Sequence, residues 1–148
     1  MNQALWAERQ PPPVGTSGGE WSWDLCTPMD LTRSRGQLRA DLSLGVLPTG
    51  AGFDDVDRLL LAFEELASNG LRHGSAPVRI RVVQTSDGWL VDVTDTALDS
   101  PPLPASGRDP ALGGLGLHLV ARLCAAHGWG VRGARKHVWA TIRPERGR

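Results

Sequence analysis

Residues 59–74 read LLLAFEELASNGLRHG, and this stretch decides the fold class. Leu59, Phe63, Leu66 and Gly70 recur at three- and four-residue intervals, as the core-facing stripe of an amphipathic helix does. Beside that stripe run Glu65, Asn69 and His73, spaced four apart. A helix completes a turn in 3.6 residues, so the three stack along one face. A carboxylate, an amide and an imidazole in one row make this helix the first candidate for a functional surface. Asp54 is the expected N-cap, with Asp57 three residues on in the capping-box position, and Gly74 stands at a natural C-cap site.

Outward from the helix, residues 77–84 (PVRIRVVQ) alternate Val78, Ile80 and Val82 with Arg79 and Arg81, which predicts a strand with one wet face. Ser86, Asp87 and Gly88 make a hairpin turn, and residues 89–95 (WLVDVTD) return as the antiparallel partner. Residues 96–112 carry four prolines with Gly and Ser and can hold neither helix nor sheet. A loop of that length inside a compact domain is uncommon and reads as a functional lid. Gly113-Gly114-Leu115-Gly116-Leu117 leads into a helix expected over residues 115–127, followed by strands near 129–132 and 137–143.

On the N-terminal side, Leu31, Leu38 and Leu42 predict a helix over 28–44, weakened by Gly36. Residues 20–25 (EWSWDL) alternate Trp21 and Trp23 with polar neighbours and predict a short strand. Residues 1–19, with prolines at 11–13 and the run GTSGG, are set apart as a flexible arm. That leaves a domain over 20–144 and a basic tail over 145–148. The order of elements implies an α+β fold: a two-layer α/β sandwich with helices on one face of a mixed, mostly antiparallel sheet.

The bulk composition excludes more than it assigns. A chain of 148 residues, 41% hydrophobic and 22% charged, is one ordinary globular domain. Sixteen basic and sixteen acidic residues cancel, so net charge points to neither nucleic acid nor an acidic membrane. From Gly114 onward seven basic residues face one acid, Glu145, which reads as a solvated basic tail. Cys26 and Cys124 lack metal-ligand spacing and are expected to be free thiols in a reducing compartment. The N-terminus lacks a signal-peptide pattern, and no apolar run approaches the ~20 residues that span a bilayer. The expected location is the cytoplasm.

Three features separated in sequence converge on one chemistry. The first is the row Glu65/Asn69/His73. The second is Asp95, where an acid ends a hydrophobic strand at the mouth of the core. The third is the GGLGL run, a helix start whose free N–H groups and dipole favour an anion such as phosphate. An amide able to ligate Mg²⁺, a carboxylate able to accept the adenine amino group and a glycine-rich phosphate turn describe an ATP site. Each has a plainer reading alone: surface decoration, a turn-forming Asp, glycines for packing. No Gly-Lys-Ser/Thr follows the glycines, so they form no Walker A loop, and no GxGxxG follows a first strand.

Taken in order, ELASNGLRHG, DVTDTA, GGLGL and KHVWATI resemble the N box, G1 box, G2 box and closing strand of the histidine-kinase-like (GHKL, Bergerat-fold) ATPase domains. Within that superfamily the chain is similar to the short anti-sigma-factor serine/threonine kinases of actinobacteria, over about residues 21–143. The resemblance implies roles. Asn69 ligates the Mg²⁺ that bridges the ATP phosphates, and Glu65 is the general base on an acceptor serine. Asp95 accepts from the adenine amino group and so selects the purine, because a carboxylate can only accept. Gly114 and Gly116, with Leu115 and Leu117, bring backbone to the phosphates. His73 either faces the phosphates or is a helix-end histidine held by the dipole.

Two departures mark this chain. Ala97 stands where the G1 box has glycine, which matters if that position needs a positive φ or a close backbone approach. His137 stands where the closing strand has a threonine that helps hold adenine.

The implied partners are a sigma factor, an antagonist protein, or both, and a homodimer is plausible by family habit and the Trp21/Trp23 strand. The alternative is a non-catalytic or weakly ATP-binding interaction module of the same fold. A detached histidine-kinase catalytic domain fits less well, since none of the four histidines is followed by an acid.

Overall fold

A computed structural model of the chain describes residues 6–102 and 115–145. Five strands and three helices follow in the order β1 (Glu20–Leu25), α1 (Pro28–Leu44), α2 (Phe53–His73), β2 (Val78–Thr85), β3 (Gly88–Asp95), α3 (Leu115–Leu123), β4 (Ala126–Arg132) and β5 (Arg135–Ile142). The sheet order is β1-β2-β3-β5-β4, and each of these pairs is antiparallel. The expected mixed sheet reduces to one isolated parallel bridge, Glu8 with Trp129. The α+β sandwich stands.

Helix α1 begins where local chemistry dictates. Thr27 caps it, accepting from the Asp30 N–H, while the Asp30 carboxylate accepts from the N–H groups of Cys26 and Thr27 at 2.7 and 3.0 Å. Those two backbone donors hold the Asp30 carboxyl below its usual range. Leu31, Leu38 and Leu42 are the buried row.

Helix α2 differs from expectation at its start. It opens at Phe53, not Asp54, and Asp55 reaches back to accept the Gly52 N–H at 2.8 Å. Asp57, expected in the capping box, instead faces Arg39 at 3.8 Å. Asp55 has a competing reward: it also holds Arg58 at 2.6 Å and the Glu145 N–H at 3.0 Å. Arg58 in turn donates to the carbonyls of Leu123 and Arg143, so this corner ties α2 to the end of α3 and to the chain after β5. Leu59, Leu60, Phe63 and Leu66 are fully buried against Ile80, Val82, Val91 and Val93 of the sheet. Each such side chain contributes roughly 1.5–3 kcal/mol.

Helix α3 ends at Leu123, four residues short of the expected limit at His127. The Ala125 N–H donates to the Thr141 carbonyl at 2.8 Å, and His127 pairs opposite Ala140 in β4. Pairing with β5 overrides the helical propensity of the Cys124-Ala125-Ala126 run. Residues 96–102 hold no helix or strand; the rest of the expected lid, Gly113, Gly114 and the end of the basic tail lie outside the described residues.

The segment expected to be a flexible arm is attached from Trp6 onward. Trp6 is buried, donates to the Leu117 carbonyl and packs at a tilt against His127, with ring centroids 4.7 Å apart. The Arg9 N–H donates to the Trp129 carbonyl at 2.7 Å, and the Trp139 indole donates to the Arg9 carbonyl at 2.9 Å. Farther along, the Ser17 N–H reaches the Gln84 carbonyl. The arm thus crosses the sheet face that the helices leave open and covers a second small core of Val83, Leu90 and Trp139, with Val14 packed on it. Proline and glycine content signalled a segment without helix or ladder; it carried no signal that two tryptophans would anchor it.

Candidate functional site

Helix α2 can lie close to β3 because it carries glycine where the two meet. A Cβ at Gly70 would stand 3.0 Å from Val93 Cγ1, and one at Gly74 would stand 2.6 Å from the Asp95 carboxyl carbon. Gly74 closes the helix with φ −88°, so it is needed for that close approach and not for a left-handed cap. The end of α2 and the end of β3 are thereby held together. That brings the C-terminal end of α2, Gly74, beside Asp95.

Asp95 is 1% exposed, and its two oxygens have different partners. Oδ1 accepts the Ala97 N–H at 2.7 Å and the Ser75 N–H at 3.4 Å. Oδ2 faces the Lys136 ammonium at 3.5 Å. Lys136 is itself buried and donates to the Ser100 carbonyl. Ala97 adopts no positive φ, so the methyl group that replaces the expected glycine sits on an ordinary backbone.

Glu65 and the start of α3 meet directly. A Cβ added to Gly116 would overlap the Glu65 carboxyl, with the Glu65 carboxyl carbon 2.6 Å away. The Glu65 carboxyl is pushed above its usual range, first by burial and then by the neighbouring charge of Glu64, with Arg72 opposing. Asn69, one turn on, is half-buried, and its amide has no hydrogen-bond partner among the described residues. His73 is exposed at the helix end.

The remaining candidates separate from this group. Leu117 is a core residue, 1% exposed, and its carbonyl is taken by Trp6. Gly114 lies outside the described residues, as does the side chain of Leu115. His137 is a correction. It pairs opposite Thr94, on the sheet face turned away from the helices, where its Nδ1 lies 2.9 Å from the Asp92 carboxylate. Strand side chains alternate faces, so the residue beside Asp95 is the one before it, Lys136. The row Lys136, Val138, Ala140, Ile142 was readable as the inward face of a strand, and a lysine in an apolar row was the signal that marked it.

These residues suit a Mg²⁺-nucleotide. Asn69 offers an oxygen ligand not otherwise used, and Asp95 Oδ2 offers an acceptor with one longer ionic contact. The glycine at 116 lets the start of α3 come up against the Glu65 carboxyl. Among the described residues no group of three His, Cys, Asp or Glu could cage a metal. No described helix is long and apolar enough to cross a membrane.

Comparison with curated proteins gives no match. Comparison with protein families matches residues 33–142 to the histidine kinase-like ATPase domain, a span from within α1 to the last residue of β5. With the α+β sandwich and the meeting of α2, β3 and α3 in place, the chain belongs to the histidine kinase-like ATPase domain family and is an ATP-binding protein.

Proposed function

We propose that this chain is an ATP-dependent protein serine/threonine kinase of the anti-sigma-factor type, which phosphorylates a serine of an antagonist protein. One observation carries the reading: a half-buried carboxyl with raised proton affinity, Glu65, lies against Gly116 at the start of α3, one turn before Asn69. A general base works best when its pKa lies near the operating pH, and burial moves Glu65 in that direction. When bound, Mg²⁺-ATP supplies the transferable phosphoryl group and neutralises its charge.

The chain's own residues do the rest. Asn69 holds the metal through its amide oxygen. Gly116 lets the start of α3 approach the Glu65 carboxyl, and the backbone N–H groups of that helix start are the proposed phosphate contacts. Glu65 accepts the proton of the serine hydroxyl at one of its carboxyl oxygens, and Asp95 Oδ2 accepts from the adenine amino group. The sigma factor and its antagonist are the proposed partners, and a homodimer is the proposed assembly.

The test uses the purified protein with Mg²⁺ and γ-labelled ATP, together with a partner captured on it. The expected result is label on a partner serine, retained ATP binding but no label with Glu65→Ala, and no Mg²⁺-dependent ATP binding with Asn69→Ala. Label transfer at the wild-type rate by Glu65→Ala would remove Glu65 from the base role. Calorimetry without ATP binding to the wild type would overturn the whole reading.

A further inference from the structure

The ion pair at the end of β3 goes beyond the reading of Asp95 as the sole purine contact. Asp95 Oδ1 is used by two backbone N–H groups, so a base can reach only Oδ2. Beside Oδ2 stands Lys136 Nζ, at 3.5 Å. The Asp95↔Lys136 register of β3 and β5 holds the two side chains together, and both are nearly solvent-free. A carboxylate only accepts hydrogen bonds and an ammonium only donates them. The site therefore offers an acceptor and a donor side by side.

Adenine offers the complement along one edge, an amino donor at C6 next to the N1 acceptor. The geometry points to Lys136 as a specificity-determining residue that donates to adenine N1 while Asp95 accepts from the C6 amino group. This rests on the ATP-binding reading of the Asp95 pocket. The ammonium has three N–H donors, of which Asp95 and Ser100 engage two, so one remains for the base. Both side chains are nearly solvent-free, so entry of the base requires the 97–100 segment, bonded to the pair through the Ala97 N–H and the Ser100 carbonyl, to give way. A 6-oxo purine meets two mismatches, its carbonyl against the carboxylate and its N1–H against the ammonium. Discrimination is strongest where a mismatched ligand leaves buried polar groups unpaired.

The experiment is calorimetry in Mg²⁺ with ATP and with 1-deaza-ATP, in which N1 is replaced by C–H. Wild-type protein is expected to bind 1-deaza-ATP at least tenfold more weakly than ATP. Lys136→Met is expected to lose affinity for ATP by a similar factor and to bind the two nucleotides within twofold of each other. Equal wild-type affinities for the two nucleotides would overturn the role of Lys136 while leaving the ATP reading intact. Persistence of the tenfold gap in Lys136→Met would also overturn it, since another group would then be reading N1. Binding of neither nucleotide by the wild type would overturn the nucleotide reading, and this role with it. If Lys136→Met fails to fold, because Asp95 is left buried without its counter-charge, Lys136→Arg, which keeps the charge but moves its donors, is expected to narrow the gap between the two nucleotides at least threefold, and an unchanged gap there overturns the role.

Discussion

The carboxyl of Glu65 lies against Gly116, so that α2 and the start of α3 meet with no room for a side chain between them. Glycine at 116 thus has a reason independent of any ligand: it leaves space for the Glu65 side chain. The same contact fixes where the carboxyl can point.

Gly116→Ala tests that contact. The methyl meets the mobile end of a side chain, so Glu65 can rotate away, and the stability cost is expected to be small, about 0.5–1 kcal/mol by denaturant unfolding. Phosphotransfer is expected to fall at least tenfold, because a displaced carboxyl no longer reaches the acceptor hydroxyl. Unchanged transfer with a displaced Glu65 would separate the carboxyl from the chemistry.

Glu65→Gln opposes function to stability. The folded-state pKa of Glu65 is raised, so the folded protein holds this proton more tightly than the unfolded chain does. The group favours folding below its unfolded pKa, and that contribution is lost as pH rises through the folded value. Glu65→Gln is therefore expected to raise Tm at pH 7 and to leave it little changed near pH 4, while abolishing transfer. In the wild type the acid limb of the transfer rate should lie above the ordinary carboxylate range, and Glu64→Gln should move it down. Thermal melts and rate profiles across pH 4–8 check both.

His137→Ala addresses the opposite face of the sheet. His137 is the partner of the Asp92 carboxylate, which is 5% exposed. Its loss leaves that carboxylate short of a hydrogen bond, at an expected cost of about 1–3 kcal/mol in stability. ATP affinity is expected to stay within twofold, because His137 does not face the Asp95 pocket. A large loss of affinity in calorimetry, with the fold intact, would return His137 to the nucleotide site.

Docking of the arm is expected to depend on pH through His127. Burial, and then the charge of Arg9, lower the pKa of His127, and its Nδ1 is buried without a partner. A group with a lowered folded pKa contributes stability above its unfolded value, near 6.5, and loses it as pH falls through the folded one. Acidification below about pH 6 should therefore expose Trp6, seen as a red shift of tryptophan fluorescence, and His127→Phe should suppress that shift. Trp6→Ala is expected to cost about 3 kcal/mol or more.

Much of the candidate site was legible because its signals are local. Four-residue spacing places Glu65 and Asn69 on one face of α2 whatever lies opposite, and a strand-terminal acid is visible at Asp95. Lys136 and Trp6 were less legible: a lysine in the apolar row of β5 was the one signal for the first, and none marked the second. Lys136 acquires meaning only once β5 is paired to β3, and Trp6 only once the arm lies beside α3 and β4. His137 shows the size of the effect. A reading one residue out moves a side chain through the sheet to the other face.

The sequence by itself determined the α+β class, helix α1 and the hairpin of β2 and β3, because helical and strand periodicities and turn residues act within a few residues. Tertiary structure alone decided the end of α3, the attachment of the arm and the partner of Asp95. Each of these depends on backbone groups or side chains brought together from distant parts of the chain: Ala125 with Thr141, Arg9 with Trp129, Asp95 with Lys136. The physical reason is that a local pattern specifies which face a residue occupies, whereas only strand register and helix approach specify what stands opposite it.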